Sequence, residues 1–122
     1  MNILLIALGG AFGSVCRYLL TSAVLGATGT LFPLGTFVVN VVGCGLFGAI
    51  AGASEGRDLL TPETRALLLA GVLGGFTTFS SYMNESVVLV REGQFVWAAL
   101  NLGGQVVIGF VVFWIAHAIA SG

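Results

Sequence analysis

Residues 71–82 read GVLGGFTTFSSY, and this stretch decides how the chain can fold. It lies inside a long apolar run, where a plain membrane helix would be expected. Instead it combines three glycines with four Thr and Ser hydroxyls and three aromatic rings. Such a segment is tolerated where a helix breaks and its freed backbone groups face protein, an ion or water. The sequence therefore predicts a transmembrane helix that is broken near its middle.

The composition around this stretch is that of an integral membrane protein. Of the 122 residues, 57% are hydrophobic and 7% are charged, and the mean hydropathy is +1.08. A soluble domain carries about 25% charged residues, so this chain could not cover a soluble surface. Because about 20 residues span a bilayer, the chain holds roughly four spans in a single transmembrane domain, residues 1–122. Four helices enclose little space, and we therefore expect an oligomer.

We predict an all-α protein with spans at about residues 2–25, 34–54, 63–90 and 95–118. The third span contains residues 71–82 and is too long for one straight crossing, which fits a tilt or an interruption. Positive residues are so few and so evenly placed that they specify the orientation only weakly. A chain with so little bias can insert in both directions, which would permit a homodimer of oppositely oriented copies.

The sequence lacks the residue sets of an enzyme. It has no Ser/His/Asp constellation, no paired carboxylates, no Cys/His metal spacing and no phosphate loop. We therefore expect a chain that is not an enzyme, that binds no nucleic acid and that has no evident protein partner besides a second copy. Its expected surrounding is the lipid bilayer of the cell membrane, which it crosses several times.

Besides Glu63 and Arg65 in the first turn of the third span, two charged residues lie within the predicted spans, where a charge is costly and marks function or a buried partner. Arg17 lies near the end of the first span, so its side chain either serves such a role or extends to the membrane interface. Glu85 lies well inside the third span. It either lines a polar pathway or is capped by hydroxyl groups of its own helix.

Asn40 and two aromatic residues leave similar alternatives open. Asn40 is the strongly polar residue of the second span, and it either bonds two helices together or offers its two amide donors to an anion. Phe79 and Tyr82 are three residues apart and share a helix face. They either pack, or they turn their electropositive ring edges toward an anion. The break itself exposes carbonyl groups that could hold Na⁺ and N–H groups that could hold an anion.

Taken in order, the motifs resemble those of the Fluc/CrcB-type fluoride channels over the whole chain. They are GGAFG at residues 9–13 leading to Arg17 and Tyr18, GTFVVN at 35–40 followed by Gly43, and GVLGGFTTFSSY at 71–82. The last motif is highly specific. The resemblance implies a fluoride-selective channel that lowers cytoplasmic fluoride by passive export. It also implies a dual-topology homodimer with two parallel pores.

The resemblance further implies roles for single residues. A structural Na⁺ at the dimer centre would be held by the backbone carbonyls of Gly74 and Thr77 from both copies. Arg17 would lie at the pore vestibule. The residues that would line the fluoride pathway are Asn40, Phe79, Ser80, Ser81, Tyr82 and Glu85.

Two features depart from the family pattern. Tyr82 stands where the family usually has Phe, which keeps the ring edge but adds a hydroxyl in or beside the pore. The fourth span has Asn101, Gln105, Gly109 and Phe113 where the family often has a track of Ser and Thr. The resemblance therefore leaves open which residue of this span would contact fluoride.

Two rival classes share some of these features. A small dual-topology multidrug or cation exporter has the same four spans, but it needs a membrane carboxylate, usually in its first helix. Here the first span carries Arg17 and no acidic residue. A membrane assembly subunit without transport activity would use the glycines only for packing, which does not explain the polar break in the third span.

Overall fold

The computed structural model describes residues 2–28, 33–55 and 60–122, and this part of the chain is helical apart from short turns and one break. A π-helical segment, Ala66–Leu73, lies between the third and fourth helices. The helices are α1 (Asn2–Thr28), α2 (Leu34–Ser54), α3 (Pro62–Arg65), α4 (Gly74–Phe76), α5 (Phe79–Arg91) and α6 (Phe95–Ser121).

Four helical stretches are long and apolar enough to cross a membrane. They are Asn2–Ala27, Leu34–Ser54, Pro62–Arg91 and Phe95–Ser121. The prediction of an all-α protein with four spans is therefore confirmed. The first and last helices continue past the predicted ends because the sequence there offers no proline or charge to stop them.

The third span, Pro62–Arg91, consists of two halves with different neighbours. Within the first half, residues 62–76, the segment 66–76 packs along α1, whereas α5 packs chiefly against α6. Glycines allow the close approach to α1. A methyl group on Gly71 would lie 3.1 Å from the Ile6 carbonyl oxygen, and one on Gly75 would lie 2.5 Å from the Gly10 carbonyl oxygen. The first half is thus held by backbone contact with α1.

The most extensive contact in the described chain joins α2 to α6. It too depends on glycine, because a methyl group on Gly48 would lie 2.5 Å from the carbonyl oxygen of Phe113. Near the end of this interface, His117 Nε2 lies 2.9 Å from the Glu55 carboxylate. These two unbroken helices pack together beside the interrupted third span.

Candidate functional site

The third span is interrupted at Thr77 and Thr78, which are both extended (φ −83°, ψ 159° and φ −149°, ψ 120°). The helix stops after Phe76 and begins again at Phe79. The prediction of a broken third helix is confirmed, and the break lies within the predicted stretch of residues 71–82. We refer to Thr77 and Thr78 as the break.

Side chains of the break end one helix and begin the next. The Thr77 hydroxyl donates to the Leu73 carbonyl at 3.0 Å, at the end of the first half. The Thr78 hydroxyl oxygen accepts the N–H of Ser81 at 3.3 Å, as an N-cap does, and donates to the Ser81 hydroxyl oxygen at 3.2 Å. The threonine pair is therefore suited to an interruption, since each hydroxyl satisfies one helix end.

Asn40 of α2 holds the break by both polar groups of its amide. Its Oδ1 accepts the Thr78 N–H at 2.9 Å, and its Nδ2 donates to the Thr78 carbonyl at 3.0 Å. This paired contact resembles the one that a neighbouring β-strand would make. It satisfies backbone groups that a broken helix would otherwise leave unpaired in the membrane.

Asn40 belongs to a chain of amide side chains that continues into α6. This series of hydrogen bonds ends on α5, where the Ser86 hydroxyl donates to the Tyr82 carbonyl at 2.8 Å. We refer to Asn40, Gln105 and Asn101 as the amide chain. Its remaining links are from Asn40 Nδ2 to Gln105 Oε1, from Gln105 Nε2 to Asn101 Oδ1, and from Asn101 Nδ2 to Ser86 Oγ, each at 2.8 Å.

The two members of the amide chain on α6 are buried and Asn40 is half-buried, and the sequence revealed only part of this chain. Asn101 is 0% exposed and Gln105 is 7% exposed. The spacing of these two residues on α6 indicated a polar stripe, but nothing in the sequence indicated that the stripe meets Asn40. Ser86 was missed, although its place four residues after Tyr82 puts it on the same face of α5.

Glu85 of α5 is hydrogen-bonded to a residue of another helix and not to a residue of its own helix. Its Oε1 accepts a hydrogen bond from the Thr36 hydroxyl of α2 at 2.8 Å. Its Oε2 is buried without a hydrogen-bond partner among the residues that the structure describes. Thr36 was also missed, although it lies one helical turn before Asn40 and shares its face. The alternative in which hydroxyls of α5 cap this carboxyl group is therefore not what the structure has.

The aromatic pair meets edge to face. The ring centroids of Phe79 and Tyr82 are 5.8 Å apart, with 69° between the ring planes. Phe79 is 72% exposed, whereas Tyr82 is 6% exposed. The Tyr82 hydroxyl donates to the carbonyl oxygen of Leu102 on α6. The extra hydroxyl of this chain is thus engaged by backbone.

Gly74 and Thr77, the predicted cation ligands, have carbonyl groups that lose their usual helical partners. In a continuous helix the Thr78 N–H would bond to the Gly74 oxygen and the Ser81 N–H to the Thr77 oxygen. Here the first N–H goes to Asn40 and the second to the Thr78 side chain. Carbonyl oxygens freed in this way suit a hard cation, so the residues fit the predicted ion.

Arg17 lies beside one of these carbonyls. Its Nη1 is 3.5 Å from the Thr77 oxygen, which is long for a hydrogen bond and leaves mainly a charge–dipole attraction. The contact forms because α1 runs close to the first half of the third span, where Gly13 has no room for a side chain. The structure thus places Arg17, which is half-buried, beside a backbone carbonyl of the break.

An open groove of about 430 Å³ brings several of these groups together. It runs between α2, α6, the first half of the third span and the break. Arg17, Ser80, Ser81 and Glu85 are not among its lining residues. The predicted site residues that line it are Asn40, Gly74, Thr77, Phe79 and Tyr82, and Gln105 and Phe113 of the fourth span line it as well.

Comparison with known proteins gives matches over nearly the whole chain. The family described as CrcB-like protein, Camphor Resistance (CrcB), matches residues 4–117. The fluoride-specific ion channel FluC of Maridesulfovibrio salexigens is 51% identical over 107 residues, which cover 88% of this chain and 85% of the relative. FluC of Nitratidesulfovibrio vulgaris (strain DSM 19637 / Miyazaki F) is 46% identical over 114 residues, which cover 93% and 92% of the two chains. FluC of Opitutus terrae is 46% identical over 121 residues, which cover 98% and 92%.

Proposed function

The chain belongs to the CrcB-like family, and from this premise we propose that it is a fluoride-specific ion channel that lowers cytoplasmic fluoride by passive export. Membership confirms the resemblance predicted from the motifs at residues 9–13, 35–40 and 71–82. The named relatives are ion channels, which confirms the expectation that the chain is not an enzyme. With its four spans, the chain is a multi-pass protein of the cell membrane.

One observation from the geometry carries the proposal: the groove joins an aromatic pair to amide side chains at a helix break. Fluoride is small and strongly hydrated, so a pathway must replace water with hydrogen-bond donors. Ring edges add a weaker electropositive contact. The exposed ring of Phe79, which meets Tyr82 edge to face, is suited to that contact. Several moderate sites in a row would let the ion enter and leave.

The donors that face fluoride follow from which N–H and O–H groups are already used. Asn40 donates one Nδ2 hydrogen to the Thr78 carbonyl and the other to Gln105 Oε1, so its amide lines the pathway with no free donor in this arrangement. Gln105 gives Asn101 one N–H of its two. Its second N–H is the donor that we assign to the pathway from the fourth span. The Ser81 hydroxyl accepts from Thr78, which leaves its own proton for an anion.

The remaining pathway roles follow from position. Ser80 is exposed at the start of α5 and offers a hydroxyl next to Phe79. Glu85 would adjoin the pathway on the side of Thr36, with which it shares a hydrogen bond. Arg17 would supply positive charge at the vestibule, as a guanidinium close to the break.

A Na⁺ ion held by the Gly74 and Thr77 carbonyls of two copies is the second part of the proposal. When bound, the cation would offset part of the free-energy cost of bringing an anion into a low dielectric. The two freed carbonyls of this chain support the assignment. The Arg17 guanidinium would have to turn away from the Thr77 oxygen, which its long side chain permits.

The third part is a homodimer of oppositely oriented copies. The weak charge bias of the sequence supports it, because such a chain inserts both ways. The groove supports it as well, since four helices leave the groove open and a second copy could close it. Gly74 and Phe79, both exposed beside the break, would then lie toward the partner.

The experiment that tests the function is ion efflux from liposomes that contain the purified chain. We expect rapid fluoride efflux and little chloride efflux, measured with ion-selective electrodes. Phe79→Leu should lose most of the fluoride flux, because it removes the ring edge while keeping an apolar side chain. Phe12→Leu is a matched control, since Phe12 is 63% exposed on α1 away from the groove. Equal flux of chloride, or proton-driven uptake of a cationic drug without fluoride efflux, would reject the channel.

A further inference from the structure

We propose that Asn40 builds the cation site by keeping the third span open, and that Gln105 fixes the orientation in which Asn40 does so. This inference rests on the proposed function, because the cation site is part of it. It adds a positioning role to Asn40 and couples the two ion sites through one side chain. The juxtaposition that carries it is Asn40 with both backbone groups of Thr78.

The Gly74 carbonyl lacks the partner that a continuous helix would give it. The Thr78 N–H lies four residues further on and would close an ordinary helical bond to that oxygen. Asn40 Oδ1 accepts this N–H instead, at 2.9 Å. Without the amide, the bond from Thr78 to Gly74 is the local means of satisfying the N–H within the membrane. That bond would remove the Gly74 oxygen from the cation site.

Thr78 is held by Asn40 at its other backbone polar group as well. Its carbonyl accepts from Asn40 Nδ2 at 3.0 Å, so the amide satisfies the N–H and the C=O of the same residue. A residue held by both groups is fixed in the extended conformation that separates α4 from α5. The neighbouring Thr77 carbonyl thereby stays outside both helices. Asn40 thus acts on both predicted cation ligands without contacting the ion.

The hydrogen bonds on α5 and α6 give the Asn40 amide a single orientation. The Tyr82 carbonyl can only accept, so the Ser86 hydroxyl donates to it and accepts from Asn101 Nδ2. Asn101 Oδ1 is then left to accept from Gln105 Nε2, and Gln105 Oε1 to accept from Asn40 Nδ2. A reversed Asn40 amide would bring its oxygen against the Gln105 oxygen. The amide chain therefore transmits a fixed polarity from α5 to the break.

The sequence offers a direct probe of the break. Thr77 and Thr78 are the chain's single Thr-Thr pair, so threonine labelled with ¹³C at the carbonyl and ¹⁵N at the amide gives one correlation across that peptide bond. The signal reports the Thr77 carbonyl and the Thr78 N–H together. It is recorded on the full chain in liposomes by solid-state NMR, with Na⁺ or with N-methylglucamine at equal ionic strength. In the wild type we expect Na⁺ to shift the carbonyl signal.

Three variants then decide the role of Asn40. Asn40→Leu should move the signal toward helical values and lose the Na⁺-dependent shift. Asn2→Leu makes the same chemical change at an exposed residue at the start of α1 and should keep the shift. Gln105→Leu, which leaves Asn40 without its orienting partner, should reduce the shift by several-fold. If Asn40→Leu does not fold, Asn40→Ala takes its place, and Gln105→Leu tests the same coupling independently.

The outcomes separate this inference from the proposed function. A wild type whose carbonyl signal ignores Na⁺ would reject the cation site itself, whatever Asn40 does. A wild-type shift that persists unchanged in the Asn40 and Gln105 variants would overturn the inference and leave the cation site standing. Loss of fluoride efflux in Asn40→Leu with an intact Na⁺ response would likewise overturn it, because Asn40 would then serve the anion alone.

Discussion

The α2–α6 pair and the third span satisfy their backbone hydrogen bonds within the membrane in opposite ways. In the pair, each helix satisfies its own backbone, and glycines such as Gly48 let the two backbones touch. In the third span, two residues leave the helix, and one side chain of α2, Asn40, replaces the missing backbone bonds of Thr78. The difference shows that a break in a membrane helix requires a rigid neighbour, because the replacing amide must itself be held in place.

The two regions should therefore respond differently to substitution. Damage to the continuous pair should act through backbone overlap, which no side-chain rotation relieves. Damage to the interrupted span should act through single hydrogen bonds, each of which contributes about 1 kcal/mol net. Matched substitutions in the two regions test this contrast.

Gly48→Ala should have the largest effect, because its methyl group would lie 2.5 Å from the Phe113 carbonyl oxygen. Overpacking of this kind costs about 3 kcal/mol at the upper end of its usual range. Gly103→Ala on α6 is the matched control, since among the described residues nothing outside the adjoining backbone of α6 lies within 4 Å of its added methyl group. The measurement is the thermal midpoint of the purified protein in detergent. Equal midpoints for the two variants would show that the pair does not depend on glycine contact.

Thr36→Val should have an intermediate effect in the interrupted region. It removes the hydroxyl that donates to Glu85 Oε1. Since Oε2 already has no hydrogen-bond partner among the described residues, the whole carboxyl group then loses its donor. A buried polar group without a partner costs about 2 kcal/mol. Thr36→Ser keeps the donor and should restore most of the stability in the same thermal assay. If the serine variant is as unstable as the valine variant, packing at Thr36 matters and the hydrogen bond does not.

The sequence predicts the break itself, but it does not predict the residues that hold the break. The break was predictable, because glycines and hydroxyls inside an apolar run have a local physical meaning. Its partner was not, because Asn40 and Thr78 are 38 residues apart and their pairing depends on how α2 is rotated. Periodicity places Asn101 and Gln105 on one face of α6, but it does not say which helix that face meets. The π-helical segment Ala66–Leu73 had no signal in its apolar sequence.

The hydrogen bond between Glu85 and Thr36 is a second case in which local spacing does not identify a partner on another helix. The sequence indicated hydroxyls one and two turns earlier on α5, and it is a hydroxyl of α2 that donates. The two residues are 49 positions apart. Local spacing identifies which residues need a partner, whereas helix packing decides which partner they find.

Tyr82→Phe should have the smallest effect and tests whether the hydroxyl belongs to the fold or to the pathway. The hydroxyl donates to the Leu102 carbonyl, and Tyr82 is 6% exposed. That carbonyl lies within α6, where it also accepts an ordinary helical bond, so it does not become unsatisfied when the hydroxyl is removed. We therefore expect a loss of about 1 kcal/mol or less in stability and no loss of fluoride efflux, because the ring edge toward Phe79 remains. A melting curve and an efflux assay on the same preparation separate the two. Loss of efflux at unchanged stability would show that the hydroxyl is a donor in the fluoride pathway. Tyr82 would then both stabilise the fold and contact the ion, instead of serving the fold alone.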